Sequence, residues 1–159
     1  MKWELKGYCD YDLAGDADTR RSGSGYVIYL MGCPIAWKSK GQKNVTLSST
    51  EAEYVAISEI SSKILFVKSL LEFVGLEIDY PIHVHVDNIG AIYLTRTATG
   101  SNRTKHVDTR YHFVREYVDQ GILKIVYVQS HKNDADVMTK NLPVKDFMRH
   151  TEKIMSHNK

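Results

Sequence analysis

The chain has 159 residues, 43% of them hydrophobic and 25% charged, with a formal net charge of +2. That length and balance fit one folded domain of ordinary size and exclude a disordered or low-complexity chain. No run reaches the roughly 18 apolar residues that a membrane span needs, and Met1-Lys2-Trp3-Glu4-Leu5-Lys6 lacks the apolar stretch of a signal peptide, so an intracellular protein with no membrane partner is expected.

Leu5 to Tyr11 reads as a first strand, running into the acidic, glycine-containing stretch Asp10 to Asp16. Arg20-Arg21-Ser22-Gly23-Ser24-Gly25 is turn chemistry, and Tyr26 to Leu30 is an aromatic and β-branched second strand. Met31-Gly32-Cys33-Pro34 predicts a tight turn into a third strand, Ile35 to Lys38, paired antiparallel with the second. Ser48-Ser49-Thr50 before Glu51-Ala52-Glu53 predicts a capped helix start with acids where the helix dipole favours them. Ile57, Ile60, Ile64, Val67, Leu71 and Val74 then recur at steps of three and four up to Gly75, the mark of a long helix with one buried face. Pro81 to Asp87 alternates as a fourth strand, Asn88 to Leu94 is a short helix, and Val107, Tyr111, Val114 and Val118 mark another. Ile122 to Val128 is a fifth strand, and Ala135 to Lys140 begins a last helical segment. Short early turns imply antiparallel pairing of strands one to three, and helical crossovers imply parallel pairing of strands four and five. The expected fold is α/β, a mixed five-stranded sheet flanked by helices. It forms a single domain over 1–159, with its core at about 5–145 and a C-terminal tail at about 146–159. Cys9 and Cys33 are too few for a disulfide framework and are expected as buried thiols.

Chemistry concentrates in four acids. Asp10 closes the first strand, Asp87 closes the fourth, and Asp136 lies in the first turn of the last helical segment. Glu53 shares the register of Ile57, Ile60, Ile64, Val67 and Leu71, whereas Glu51 does not, so Glu53 is expected to face the sheet near Asp10. Each acid alone reads better as a solvated residue or a helix cap, but their joint placement at the ends of successive core elements favours a common site. Converging carboxylates raise one another's pKa values unless cations occupy the site. An all-oxygen donor set suits magnesium, with manganese as a substitute, rather than zinc. Two such ions would activate a water and stabilise the leaving oxygen of a phosphodiester.

The segments carrying these acids resemble the ribonuclease H domain of copia-type LTR retrotransposons. They are Gly7 to Asp16, Ser48 to Tyr54, Val86-Asp87-Asn88, Lys105 to Glu116 and Ala135 to Lys140. The resemblance extends over about residues 7–145 and implies the ribonuclease H-like fold. It implies a catalytic and metal-holding tetrad of Asp10, Glu53, Asp87 and Asp136, which agrees with the choice of Glu53 from periodicity. It also implies an RNA–DNA hybrid as substrate, cut to leave a 5′-phosphate and a 3′-hydroxyl. A reverse transcriptase domain upstream in a longer polyprotein and a cytoplasmic, virus-like-particle setting are implied as well. The sequence departs from the family at Ile89-Gly90, where Gln-Ser is usual, and at Tyr11, where Ala is common; neither is a ligand position.

Ribonucleases H carry a loop histidine ahead of the last Asp, a place that His131 occupies here. A catalytic proton-transfer role stands beside that of a plain exposed histidine. His83 and His85 are expected as outward-facing polar residues. Between Arg96 and Arg115 five basic residues face one acid, Asp108, and Arg103, His106 and Arg110 share a helix face by spacing. That face reads as a phosphate-binding ridge or, more plainly, as a solvated surface. Ser48, Ser49 and Asn88 are the polar candidates for reading 2′-hydroxyls beside the acids. The competing functions are a non-catalytic nucleic-acid-binding module and a DNA-cutting integrase or exonuclease relative. Retention of all four acids argues against the first, and Glu53 against the second.

Overall fold

The computed structural model describes residues 1–13, 22–41, 49–96 and 105–155, with side chains described for all of these except 50, 51, 91, 94–96 and 105–111. Five strands form one sheet: β1 (Leu5–Asp12), β2 (Gly23–Leu30), β3 (Cys33–Gly41), β4 (Ile82–Val86) and β5 (Leu123–Tyr127). Their spatial order is β3-β2-β1-β4-β5, which puts β1 in the middle. β1, β2 and β3 pair antiparallel, and β4 lies parallel to both β1 and β5. The helices are α1 (Ser49–Phe73), α2 (Ile89–Arg96), α3 (Lys105–Asp119) and α4 (Val144–Met155). Two short 3₁₀ turns, Ser130–Lys132 and Asp136–Met138, fill the segment between β5 and α4. No helix among the described residues is long and apolar enough to cross a membrane.

The β2–β3 turn is tighter than expected. Met31 and Gly32 both take positive φ, so they alone form the two-residue turn and Leu30 pairs with Cys33. Pro34 sits inside β3, where its missing N–H is tolerated because β3 is an edge strand with a register shift beside Ile28 and Tyr29. Edge placement also exposes Cys33, so only Cys9 is the buried thiol that was expected.

α1 covers one face of the sheet. Ile57, Ile60 and Ile64 are fully buried, meeting Leu5, Ile28, Ile82, Val84 and Val86 from the strands. Each such side chain contributes about 1.5–3 kcal/mol by leaving water. The buried stripe stops short of its expected end, since Leu71 is partly buried and Val74 is exposed. Gly75, at φ +86°, turns the chain out of the helix, its N–H bonding the Glu72 carbonyl and the Leu76 N–H the Leu71 carbonyl.

The opposite face carries a smaller core of Tyr8, Val27, Tyr29, Ala135 and Ile154. Here the structure corrects two expectations. The stretch after residue 145 is no tail but most of α4, which buries His150 and Ile154 against this face. The last helical segment, expected from Ala135, is only the single turn Asp136–Met138.

Candidate metal centre

Asp10 and Asp87 come together because β1 and β4 are parallel neighbours. Tyr8 pairs with His85, and two residues further along each strand stand Asp10 and Asp87. Alternation turns both toward the face that α4 and the 3₁₀ turns cover. Asp136 arrives from the turn Asp136–Met138. One carboxylate oxygen from each of Asp10, Asp87 and Asp136 lies within 4.8 Å of the others.

Glu53 comes from the other side of the sheet, in the first turns of α1. It is fully buried, and neither of its carboxylate oxygens has a hydrogen-bond partner. Burial, reinforced by the Asp87 and Asp10 carboxylates, pushes its pKa up to about 9. Burial also lifts Asp10 to about 7, against the lowering pull of the Lys140 ammonium and the Thr139 hydroxyl. The Oδ1 of Asp10 is likewise buried and without a partner. Anionic oxygens buried without donors are costly, and hard divalent cations are the species that offset that cost. The residues therefore fit magnesium or manganese: three converging aspartates, and a partnerless glutamate whose carboxyl two of them, Asp87 and Asp10, perturb.

Lys140 is the member that sequence reasoning missed. Its Nζ donates to Asp136 Oδ1 at 2.8 Å and lies 3.1 Å from Asp10 Oδ2, which also accepts from the Thr139 hydroxyl. Burial would lower this ammonium's pKa, but the Asp10 and Asp136 carboxylates hold it above the ordinary lysine value. The available signal was its place one helical turn after Asp136.

The residues leading into Asp136 are bound on all sides. Asn133 is fully buried, donating from Nδ2 to the Cys9 carbonyl at 2.9 Å and accepting the Ala135 N–H at 3.1 Å. Asp134 is buried too, taking the Tyr29 hydroxyl at 2.9 Å and Lys153 Nζ at 2.6 Å, with His150 Nδ1 at 3.3 Å. Ser39 Oγ donates to the Met138 carbonyl at 2.5 Å. Gly25, opposite Asp10 on β2, makes room for this segment, since a Cβ there would lie 2.5 Å from Met138 Cβ and 3.1 Å from the Lys38 carbonyl. Gly25→Ala is therefore expected to destabilise the fold by about 1–3 kcal/mol, the usual cost of overpacking. Gly23→Ala, where an added Cβ meets nothing within 4 Å, is the control. Thermal melts of the two variants check this, and equal melting temperatures would refute the packing argument.

An open groove of about 580 Å³ runs beside the acids, lined among others by Tyr11, Ser49, Asp87, Asn88, Tyr127 and Lys140. Ser49 and Asn88 thus line the groove beside the acids, and the Asn88 side-chain oxygen also accepts the Gly90 N–H at 2.8 Å, capping α2. His131 is exposed, does not line the groove, and has its carbonyl held by Arg149 Nη2 at 2.6 Å. Ser48 and Arg103 lie outside the described residues, as do the side chains of Glu51, His106 and Arg110. His85 is not the outward polar residue expected: it is half-buried, its ring stacked on Tyr8 at 4.4 Å and its Nδ1 3.0 Å from the Gly7 carbonyl. Burial lowers its pKa.

Three antiparallel strands continued by two parallel ones, with a long helix over the central strand, define a protein of the ribonuclease H fold. LC11-RNase H1, isolated from compost by a metagenomic approach, is similar at a TM-score of 0.63 and 17% identity, covering 86% of this chain and 92% of that one. A second structure of LC11-RNase H1, in complex with an RNA/DNA hybrid, gives a TM-score of 0.53 at 16% identity, covering 86% of this chain and 94% of that one. The protease–reverse transcriptase of prototype foamy virus matches 98% of this chain with 21% of its own, at a TM-score of 0.52 and 14% identity. No family model matches the chain. Sequence relatives are more specific. The chain is 41% identical over 150 residues to the retrovirus-related Pol polyprotein from transposon RE2 of Arabidopsis thaliana, and 41% identical over 154 residues to that from transposon TNT 1-94 of Nicotiana tabacum. These alignments cover 94% and 97% of the chain. By sequence it belongs with the copia-type retrotransposon Pol polyproteins. It spans about a tenth of the length of the relatives it matches, 10% and 12%.

Proposed function

We propose that the chain is the ribonuclease H domain, over 1–159, of a copia-type polyprotein, hydrolysing the RNA strand of RNA–DNA hybrids during reverse transcription. The observation that carries this reading is the convergence of Asp10, Asp87 and Asp136 beside a buried, partnerless Glu53 at the edge of an open groove. In this reading the four acids hold two magnesium ions, and manganese can substitute. When bound, such ions supply a water activated for attack on phosphorus and neutralise charge on the leaving oxygen. The chain's own residues do the positioning. Asn133 and Gly25 fix the height of Asp136 against β1 and β2, and Ser49 and Asn88 on the groove wall are offered to the ribose hydroxyls of the RNA strand. His131 is kept as a proton-transfer candidate. A reverse transcriptase domain preceding this one in the full polyprotein is part of the same proposal, and the foamy virus resemblance supports it.

The test is cleavage of end-labelled RNA–DNA hybrid, single-stranded RNA and duplex DNA, each with magnesium and with EDTA. Magnesium-dependent cutting of the hybrid's RNA alone is expected. Hybrid binding without cutting would favour the non-catalytic module, and cutting of duplex DNA the integrase-like alternative. Backbone recognition is assigned to Arg103, His106 and Arg110. Arg103→Ala combined with Arg110→Ala is expected to weaken hybrid binding and flatten its log–log salt dependence by roughly one unit per lost phosphate contact. An unchanged slope would return that face to solvent.

A further inference from the structure

Lys140 stands in an unusual place for a cation in a cation-binding site. Its ammonium contacts two of the three converging aspartates, at 2.8 Å from Asp136 and 3.1 Å from Asp10. Burial, Asp87 and Asp10 raise Glu53's pKa, and the Lys140 charge pulls against that rise. A divalent ion held by Asp10 and Asp136 would sit on the same two carboxylates, and two cations at hydrogen-bond range of one carboxylate repel each other. The lysine has somewhere to go. Its side chain is 35% exposed and lines the open groove, on a flexible four-carbon stem. Thr139, by contrast, can keep its hydrogen bond to Asp10, since a neutral hydroxyl does not compete for charge.

We propose that Lys140 is an internal counter-ion that occupies the carboxylate cluster in the metal-free protein and must release Asp10 and Asp136 for divalent cations to bind. The inference rests on the metal-site reading above and adds a competitor to it. Lys140 is a positioning residue here: it keeps the acids together without metal, and it weakens the site's affinity for metal by the same contacts. Two effects of opposite sign follow from its removal. The metal-free protein loses stability, because the acids lose their only described ammonium partner. Magnesium binding tightens, because the site no longer has to expel a cation.

The experiment is calorimetric titration of magnesium into wild type, Lys140→Met and Lys140→Arg, with melts of all three in EDTA. Lys140→Met is expected to bind magnesium about tenfold more tightly, within the usual range of coupling between competing ligands, while melting lower than wild type in EDTA. Lys140→Arg, which keeps the charge, should bind magnesium like wild type. A lysine with a merely structural role would lower the melting temperature without tightening metal binding, and an equal or weaker affinity in Lys140→Met overturns the inference. Should Lys140→Met fail to fold, the Lys140 Nζ and Cε resonances of the wild type supply the second measurement. Magnesium should shift them from ion-paired to solvated values, and resonances unmoved at saturating magnesium would overturn the inference equally. A wild type that binds no magnesium at all removes the metal-site reading itself, a result distinct from equal affinities.

Discussion

Replacing Glu53 by glutamine is expected to slow hybrid cleavage by about a thousandfold or more, some 4 kcal/mol of transition-state stabilisation, while Glu51→Gln costs little. Glu53 is fully buried at the start of α1 with both carboxylate oxygens unpartnered. A side chain so placed adds nothing to the fold, and the proposed function gives it the role of an anionic ligand, which an amide replaces poorly. The same substitution has a readable effect without metal. Burial and the neighbouring aspartates raise Glu53 from an ordinary 4.5 to about 9 in the folded protein. A carboxyl raised in this way favours folding fully only below its unfolded pKa. The metal-free wild type should therefore lose stability as pH rises from about 4.5 to about 9, and Glu53→Gln should lack that part of the decline. Single-turnover kinetics and melts across that pH range in EDTA check both halves. Wild-type turnover in Glu53→Gln, with loss in Glu51→Gln, would overturn the assignment.

Asp87→Asn is expected to abolish magnesium-dependent cleavage and yet raise the melting temperature of the metal-free protein. Asp87 contributes to the raised pKa values of both Glu53 and Asp10, so its charge opposes the compact state when no cation is bound. Unfolding separates the four acids and relaxes that repulsion. Magnesium reverses the balance for wild type, binding the folded site with little to grip in the unfolded chain. At about 100 times Kd it stabilises by roughly 2.7 kcal/mol. For a chain of this size each kcal/mol moves the midpoint by about 2–4 °C. Asp87→Asn, having lost a ligand, should gain much less. Four melts decide it: wild type and Asp87→Asn, each in EDTA and in excess magnesium. A variant no more stable than wild type in EDTA would mean that the carboxylates do not repel as argued.

What could be read from sequence followed from where periodicity is strict. Asp10 and Asp87 were legible because each stands within two residues of the end of a strand, and parallel pairing then brings such ends side by side. Glu53 was legible because it shares the register of Ile57, Ile60 and Ile64, which the structure buries completely. α4 was not legible, because its apolar residues do not mark its buried side. Val144, Phe147, Met148 and Met155 are exposed, while His150 and Ile154 face the sheet. The burial of Asn133 and Asp134 was not legible, because some of their partners, the Cys9 carbonyl and Tyr29, are more than a hundred residues away in sequence and the others, His150 and Lys153, come from α4. Lys140 was missed for a related reason: a lysine after a helical turn is ordinary, and only the folded chain shows it between two aspartates.

The bonds that hold Asp136 against β1 have a consequence in time. Asn133 reaches the Cys9 carbonyl across 124 residues of chain, Thr139 reaches Asp10 across 129, and Tyr29 reaches Asp134 across 105. Contacts so distant in sequence form late, since the intervening loop must close before they return any energy. During synthesis, β1 to β3 and α1 can assemble with Asp10 and Glu53 in place, but the third aspartate arrives only with the last fifth of the chain. A nascent or partly opened molecule therefore carries an incomplete set of acids, and on the proposed function any capacity to cut a nucleic acid would appear only as the fold closes.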